Sequence, residues 1–257
     1  MQTDERTGRR FDGAGRSHKV MTNRKASAPF VIVDGSHSHR RVNHTRHTVP
    51  MPNLWERSEH ATSYLSRADR LPHRREGEAI LTGDLSDVLP GRVLDLGCGD
   101  GRLAALVLDA YPESSALCVD MSTTMLEAAA KRFGPDDRVS LVRHNLDDPL
   151  AFDGSFDAIV SSFAIHHVRD ERKHELYGEI ASLLAPGGVF CNLDLVASPT
   201  RTLHEKWRSE MGVEDDPSDI LCDLASQLTW LSAVGLRDVD CIWKWRSLAL
   251  MRGHKVA

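Results

Sequence analysis

Short apolar runs and helix-period patterns alternate along the chain from Arg92 onward. "RVLDLG" (92–97), "SALCVD" (115–120), "RVSLVRH" (138–144), "FDAIVSS" (156–162) and "GVFCNLDLV" (188–196) have strand length and composition. Between them, "GRLAALVLDAY" (101–111), "STTMLEAAAKRF" (122–133) and "ERKHELYGEIASLLA" (171–185) repeat apolar residues at helical spacing. Pro112, Gly134–Pro135 and Pro186–Gly187–Gly188 stop the three helices, and Ser122 or Thr123 caps the second. Strands alternating with helices in this way predict a parallel sheet covered on both faces. Further helical patterns lie at about 199–211 and at 217–234, the latter starting at "DPSD". Two closing strands, "LRDVDCIWKW" and "SLALMRG", stand close enough together to pair antiparallel.

Upstream, "WERSEHATSYLSRADRL" reads as a helix with Trp55, Ala61, Leu65 and Ala68 near one face, stopped by Pro72. A second helix runs through "HRREGEAILTGDLSDVL" to Pro90–Gly91. These two form a helical cap over 52–90, and the sheet core occupies 91–257. Before them the pattern disappears. Residues 1–51 hold one apolar patch, "FVIV" at Phe30–Val33, in a background of Arg, Ser, Gly and His. Such a segment buries too little to offset its ordering entropy and is expected to be a disordered basic extension. Met51 is a plausible internal start, because the ordered pattern begins there.

Charge separates the same two parts. Residues 1–50 carry ten Arg and Lys against four Asp and Glu, a formal +6. The whole chain of 257 residues is at -5, so the remainder is at -11. An acidic folded part does not attract nucleic acid, which makes a nucleic-acid partner unlikely. No apolar run reaches membrane-spanning length, and no membrane partner is expected. The cysteines Cys98, Cys118, Cys191, Cys222 and Cys241 form neither a CxxC nor a disulfide framework. Reduced thiols in a cytoplasmic setting, in a monomer or homodimer, are the expectation.

The chemistry concentrates at "RVLDLGCGDGRLAALVL". Gly97, Gly99 and Gly101 let the chain turn sharply at the end of a strand, where a doubly wound sheet binds ligands. The spacing is GxGxG, and Arg102 stands where a dinucleotide fingerprint has its third glycine. Asp95 and Asp100 flank the turn and would repel a pyrophosphate. They suit a ligand with an ammonium or sulfonium. Asp120, about twenty residues on at the end of the second strand, can accept both ribose hydroxyls. A nucleoside with a cationic attachment, as in S-adenosylmethionine, fits this set.

"VLDLGCGDGRL" resembles the first motif of class I S-adenosylmethionine-dependent methyltransferases, of the small-molecule type. The resemblance continues in register through "CVDMSTTMLEAAAKR", "VRHNLDDPL", "FDAIVSSFAIHHV" and "LLAPGGVF", across about residues 90–196. It implies a Rossmann-like α/β fold with a seven-stranded sheet of order 3-2-1-4-5-7-6, strand 7 antiparallel, under an N-terminal helical lid. It implies S-adenosyl-L-methionine as cofactor. Gly97, Gly99 and Gly101 would wrap the methionine part, Asp95 would help bind its amino group, and Ser161 would border it. Asp120 would hold the ribose; Met121 and Leu146 would meet the adenine. Asn145 stands where many members carry an aspartate facing the adenine amino group, so a charge is absent there.

On the reacting side, His166 and His167 follow the fourth strand and are the candidate catalytic bases. Tyr64 and Arg70 of the lid, Asp194 at the end of the fifth strand and Trp207 in the insertion 201–219 are candidate acceptor contacts. Metal-dependent members use clustered carboxylates near the methyl group. Asp147 and Asp148 fall at the adenine loop instead, so no metal is expected. The expected activity is methyl transfer from S-adenosylmethionine to a small-molecule acceptor. A tRNA- or RNA-modifying methyltransferase anchored by the basic tail, or a non-catalytic module that binds S-adenosylmethionine or S-adenosylhomocysteine, are the alternatives.

Overall fold

The computed structural model describes residues 32–34 and 54–257. The expected disorder of the remaining N-terminal residues lies outside the described residues. Seven strands carry the fold: β1 Arg92–Leu96, β2 Ser115–Asp120, β3 Val139–Arg143, β4 Phe156–Ser162, β5 Leu184–Leu195, β6 Arg237–Trp245 and β7 Leu248–His254. They lie in the order 3-2-1-4-5-7-6, as expected. The first five are mutually parallel, and β7 runs antiparallel to both β5 and β6. An eighth strand of two residues, Val33–Asp34, adds parallel to the outer edge of β3. It comes from the one apolar patch of the basic tail, and Ile32 beside it packs on a buried cluster around Leu126 and Leu141.

The helices are α1 Ser58–Arg67, α2 Arg74–Asp84, α3 Arg102–Ala110, α4 Thr123–Phe133, α5 Asp170–Leu183, α6 Arg201–Met211 and α7 Leu224–Ala233. They bury opposite faces of the sheet. One face joins Leu81 and Leu85, at and just past the end of α2, and Leu103 and Val107 of α3 to Val93, Val160 and Leu193. The other joins Leu176, Tyr177 and Ile180 of α5 and Leu231 of α7 to Leu94, Ile159 and Phe190. Two-sided burial explains why the central strands read as continuous apolar runs rather than alternating ones. Trp243 and Trp245 of β6 sit against the α2 region: Trp243 Nε1 donates to Glu76 at 3.2 Å, and the Trp245 ring lies 4.3 Å from that of His73.

One expected helix is wrong in extent. The pattern at 217–234 predicts a start at "DPSD", but α7 begins only at Leu224, capped by the Asp223 side chain accepting from Ser226 N. The segment before it is a loop held across the molecule. Ile220 N donates to the His166 carbonyl at 2.8 Å, and the Ile220 carbonyl accepts from the buried Lys173 ammonium at 2.5 Å. Tertiary bonds to α5 and its approach outweigh the local helical tendency. That loop carries Asp216 and Asp219 over the carboxyl ends of the strands.

Candidate active site

The glycine turn is built by three glycines with three different tasks. All have positive φ, the region that favours glycine. A Cβ on Gly97 would meet the Ala164 Cβ at 2.2 Å, so Gly97 lets β1 lie against the loop after β4. A Cβ on Gly101 would meet the Phe133 ring at 2.3 Å, so Gly101 seats α3 against α4, away from the cleft. A Cβ on Gly99 would meet nothing within 4 Å, because Gly99 faces open space. That space is an open cleft lined among others by Gly97, Gly99, Asp120, Met121, Asn145 and Leu146.

Asp120 closes the turn. Its Oδ2 accepts from Gly99 N at 2.9 Å and its Oδ1 from Ser122 N at 2.8 Å. Each oxygen keeps a lone pair for a further donor. Burial pushes this carboxyl up to about 6, against the pull of those backbone donors. Asp95 lies below the turn. Its Oδ2 accepts from Ala104 N at 3.1 Å, whereas its Oδ1 is buried without a hydrogen-bond partner. Burial pushes the Asp95 carboxyl up to about 7. Ser162 Oγ, in a residue that lines the cleft, is a second buried polar atom without a partner.

These observations revise part of the charge argument made from the sequence. Asp100 is paired with Arg132, whose Nε also donates to the Asp100 carbonyl at 2.7 Å. Asp95 is close to half-protonated at neutral pH. Neither repels an anion at full strength. Asp95 is buried and lines neither cavity, so its unpartnered oxygen would meet a ligand in the cleft through a bridging water or after a small shift of the turn. Asn145 is also partly committed, since its Oδ1 accepts from Asp147 N at 3.0 Å. Ser161 does not reach the cleft: it is fully buried and its Oγ donates to the Leu96 carbonyl at 2.8 Å. Its neighbours Ser162, Phe163 and Ala164 line the space in its place.

The lid supplies the cleft's other wall. Trp55, Tyr64 and Arg74 line it, and the Trp55 ring lies 5.0 Å from that of His167. Arg74 is buried; it donates to Glu78 at 2.8 Å and to the Tyr64 hydroxyl at 3.3 Å, and lies 5.0 Å over the Phe163 ring. Glu78, also buried, is bridged in turn by Arg102 at the start of α3. One carboxylate thus ties the lid to the helix that follows the glycine turn. Phe163 holds φ +56, a left-handed conformation unfavourable for a bulky side chain.

A second cavity adjoins the first and shares Trp55, Tyr64, Arg74, Phe163 and His167 with it. Arg67 and Arg70 of the lid, and Arg208, Glu214, Asp216 and Asp219 of the insertion, line its far side. Tyr64 and Arg70, two candidate acceptor contacts, both line this second cavity. Trp207, a third candidate, is absent from the lining of both cavities, and Lys244 lies 5.2 Å from its ring. Asp219 and Asp216 went unrecognised because "DPSD" reads as a helix start.

The two histidines have opposite electrostatics. Asp194, buried, accepts from His166 N at 2.9 Å through Oδ2 and pairs with His166 Nδ1 through Oδ1. His166 Nε2 lies 3.4 Å from Asp219 Oδ1. Burial pushes the His166 imidazole down, but the two carboxylates outweigh it and hold it up at about 9. Asp194 thus acts through His166 and lines neither cavity. His167, whose ring lies 3.9 Å from that of His166, is pushed down by burial and then by the neighbouring positive charge. Its Nδ1 lies 3.1 Å from the Ser218 carbonyl, which can only accept. Of the pair, only His167 is neutral near pH 7, and burial beside the His166 charge, which pushes it down to about 3, makes it a weak base. His167 also borders both cavities.

Residues 93–188 match the family model described as a methyltransferase domain. A demethylmenaquinone methyltransferase of Clavibacter sepedonicus is 33% identical over 120 residues, which cover 46% of this chain and 47% of that protein. An uncharacterized methyltransferase of Mycobacterium bovis is 32% identical over 109 residues, covering 42% and 53%. The chain thus spans about half the length of the relatives it matches. In fold it is similar to an O-methyltransferase family protein from Burkholderia thailandensis, with TM-score 0.61, 22% identity, and 79% of this chain and 64% of that one covered. It is also similar to human N-acetylserotonin methyltransferase in complex with SAM, with TM-score 0.60, 17% identity and 79% and 58% covered. The sheet order, the glycine turn with Asp120 and the matched segment agree: residues 93–188 match a methyltransferase domain, in the Rossmann-like fold of the S-adenosylmethionine-dependent methyltransferases.

Proposed function

We propose that the protein transfers a methyl group from S-adenosylmethionine to a small-molecule acceptor held in the second cavity. The observation that carries this reading is the shared wall of Tyr64, Arg74, Phe163 and His167, at which the cleft over Asp120 adjoins a second, half-open space edged by lid residues. In-line displacement at a sulfonium methyl needs the acceptor atom held close to that methyl and aligned with it. Two adjoining cavities meet that need. The cofactor's ribose would sit on Asp120 and its amino group toward Asp95 Oδ1, with Gly99 giving its backbone close approach. Two relatives are named for small molecules, demethylmenaquinone and N-acetylserotonin. Rings and arginines in the second cavity suit a small aromatic molecule with a polar or acidic substituent.

The test is S-adenosylhomocysteine release by the full chain, with S-adenosylmethionine and panels of small phenols, aromatic acids and amines, set against bulk tRNA. Turnover with a small acceptor, and mass gain of that acceptor by one methyl group, supports the reading. Turnover with tRNA alone overturns it in favour of an RNA-modifying enzyme. Cofactor binding with no turnover on any panel favours a binding module.

A further inference from the structure

We infer that His166, His167 and Asp219 form a site for one divalent cation of the zinc, cobalt or manganese type at the junction of the two cavities. The three side chains come from two separate segments, and one ligand atom of each lies within 4.8 Å of the others. Asp219 Oδ1 is 3.4 Å from His166 Nε2 and 3.7 Å from His167 Nδ1, which would leave the Ser218 carbonyl for the ion as its proton moves to Nε2. Ligands about 2.0–2.2 Å from a tetrahedral ion stand roughly 3.4 Å apart, so small adjustments close this set on a metal. Two imidazoles and one carboxylate select borderline divalent ions over magnesium or calcium.

The surroundings have the form that metal sites require. Asp194 Oδ1 pairs with His166 Nδ1, which fixes that nitrogen as a donor and aims Nε2 at Asp219, where an ion would replace the Nε2 proton. Arg208 donates to Asp219 Oδ2 at 3.0 Å, leaving Oδ1 for the ion. The cation would stand where the Nε2 proton now bridges His166 to Asp219. All three residues line the second cavity, so the open coordination positions face the space assigned to the acceptor. The role of such an ion rests on the methyltransferase reading. It would hold an oxygen of the acceptor beside the methyl group and make a hydroxyl there more acidic. His167 would then be a ligand rather than a base.

The experiment is titration of the full chain with Co²⁺ alone, without cofactor, followed by visible absorption and calorimetry. One equivalent is expected to bind with ligand-field bands of a low-symmetry nitrogen and oxygen site. Asp219→Asn and His167→Gln are each expected to weaken that binding at least tenfold. Near-ultraviolet circular dichroism and thermal melting verify that both variants fold; His167→Gln is the backup should Asp219→Asn not, since Arg208 depends on Asp219. A variant with His37, His39, His44 and His47 of the tail all changed to Gln is expected to keep the site. Absence of Co²⁺ binding, binding unchanged in both variants, or binding lost with the tail histidines overturns the inference. Each outcome is independent of S-adenosylmethionine binding, which is read separately through Asp120.

Discussion

Asp95→Asn separates the binding role of Asp95 from its cost to the fold. Its carboxyl is buried, pushed up to about 7, and has one oxygen bonded to Ala104 N and one without a partner. An acid raised in the folded state binds more protons folded than unfolded, so stability falls as pH rises from the unfolded value, near 3.8, to about 7. Between pH 5 and pH 7 this one group removes about 2 kcal/mol of stability. The asparagine keeps an acceptor for Ala104 N and has no such slope. Urea unfolding at the two pH values should therefore show the variant gaining about 2 kcal/mol on the parent at the higher one. Cofactor binding has the complementary signature. An ammonium beside Asp95 favours the carboxylate, so binding at pH 7 should release about half a proton per site, and none from this group in Asp95→Asn. Calorimetry in buffers of different ionisation enthalpy measures that number. Equal proton release by parent and variant, or parallel stability profiles, would refute the reasoning.

Burial pushes Asp120 up to about 6, and its charged form is the one that accepts ribose hydroxyls. S-adenosylmethionine affinity should hold above pH 6 and drop about tenfold per unit below it, measured by calorimetry. Gly101→Ala should lower the melting temperature through the Phe133 contact and the left-handed backbone, a cost of at least about 1–2 kcal/mol. Gly99→Ala faces open space and should lose cofactor affinity with a smaller loss of stability. Glu78→Gln leaves Arg74 and Arg102 without their shared carboxylate and should cost about 3 kcal/mol in urea unfolding. It should also loosen the lid, seen as faster proteolysis within 54–89.

Which features could be read from the sequence follows from how local their causes are. The strand and helix pattern of 92–196 depends on periodicity and on Gly and Pro stops, all visible in short windows, and the sheet order follows from the resemblance. The glycine turn and Asp120 are likewise local, because a strand end, a turn and a strand end twenty residues on suffice to place them. Ser161 and Ser162 differ only in which side of β4 they face, a matter of one residue of register. Trp207 and Asp219 lie in an insertion whose course is set by bonds to His166, Lys173 and Arg208, remote in sequence. No local pattern announces those partners. The opposite charge states of His166 and His167 have the same origin, since Asp194 and Asp219 reach them from 28 and more residues away.

The turn of Gly97–Gly101 with Asp120 is the proposed S-adenosylmethionine site. Calorimetric titration of the full chain with S-adenosylmethionine and S-adenosylhomocysteine, beside Asp120→Ala, tests it most directly. One site per chain is expected for both ligands, lost in Asp120→Ala, which still unfolds in one cooperative transition although Gly99 N and Ser122 N lose their acceptor. No binding to the folded parent, or binding unaffected by Asp120→Ala, would contradict it.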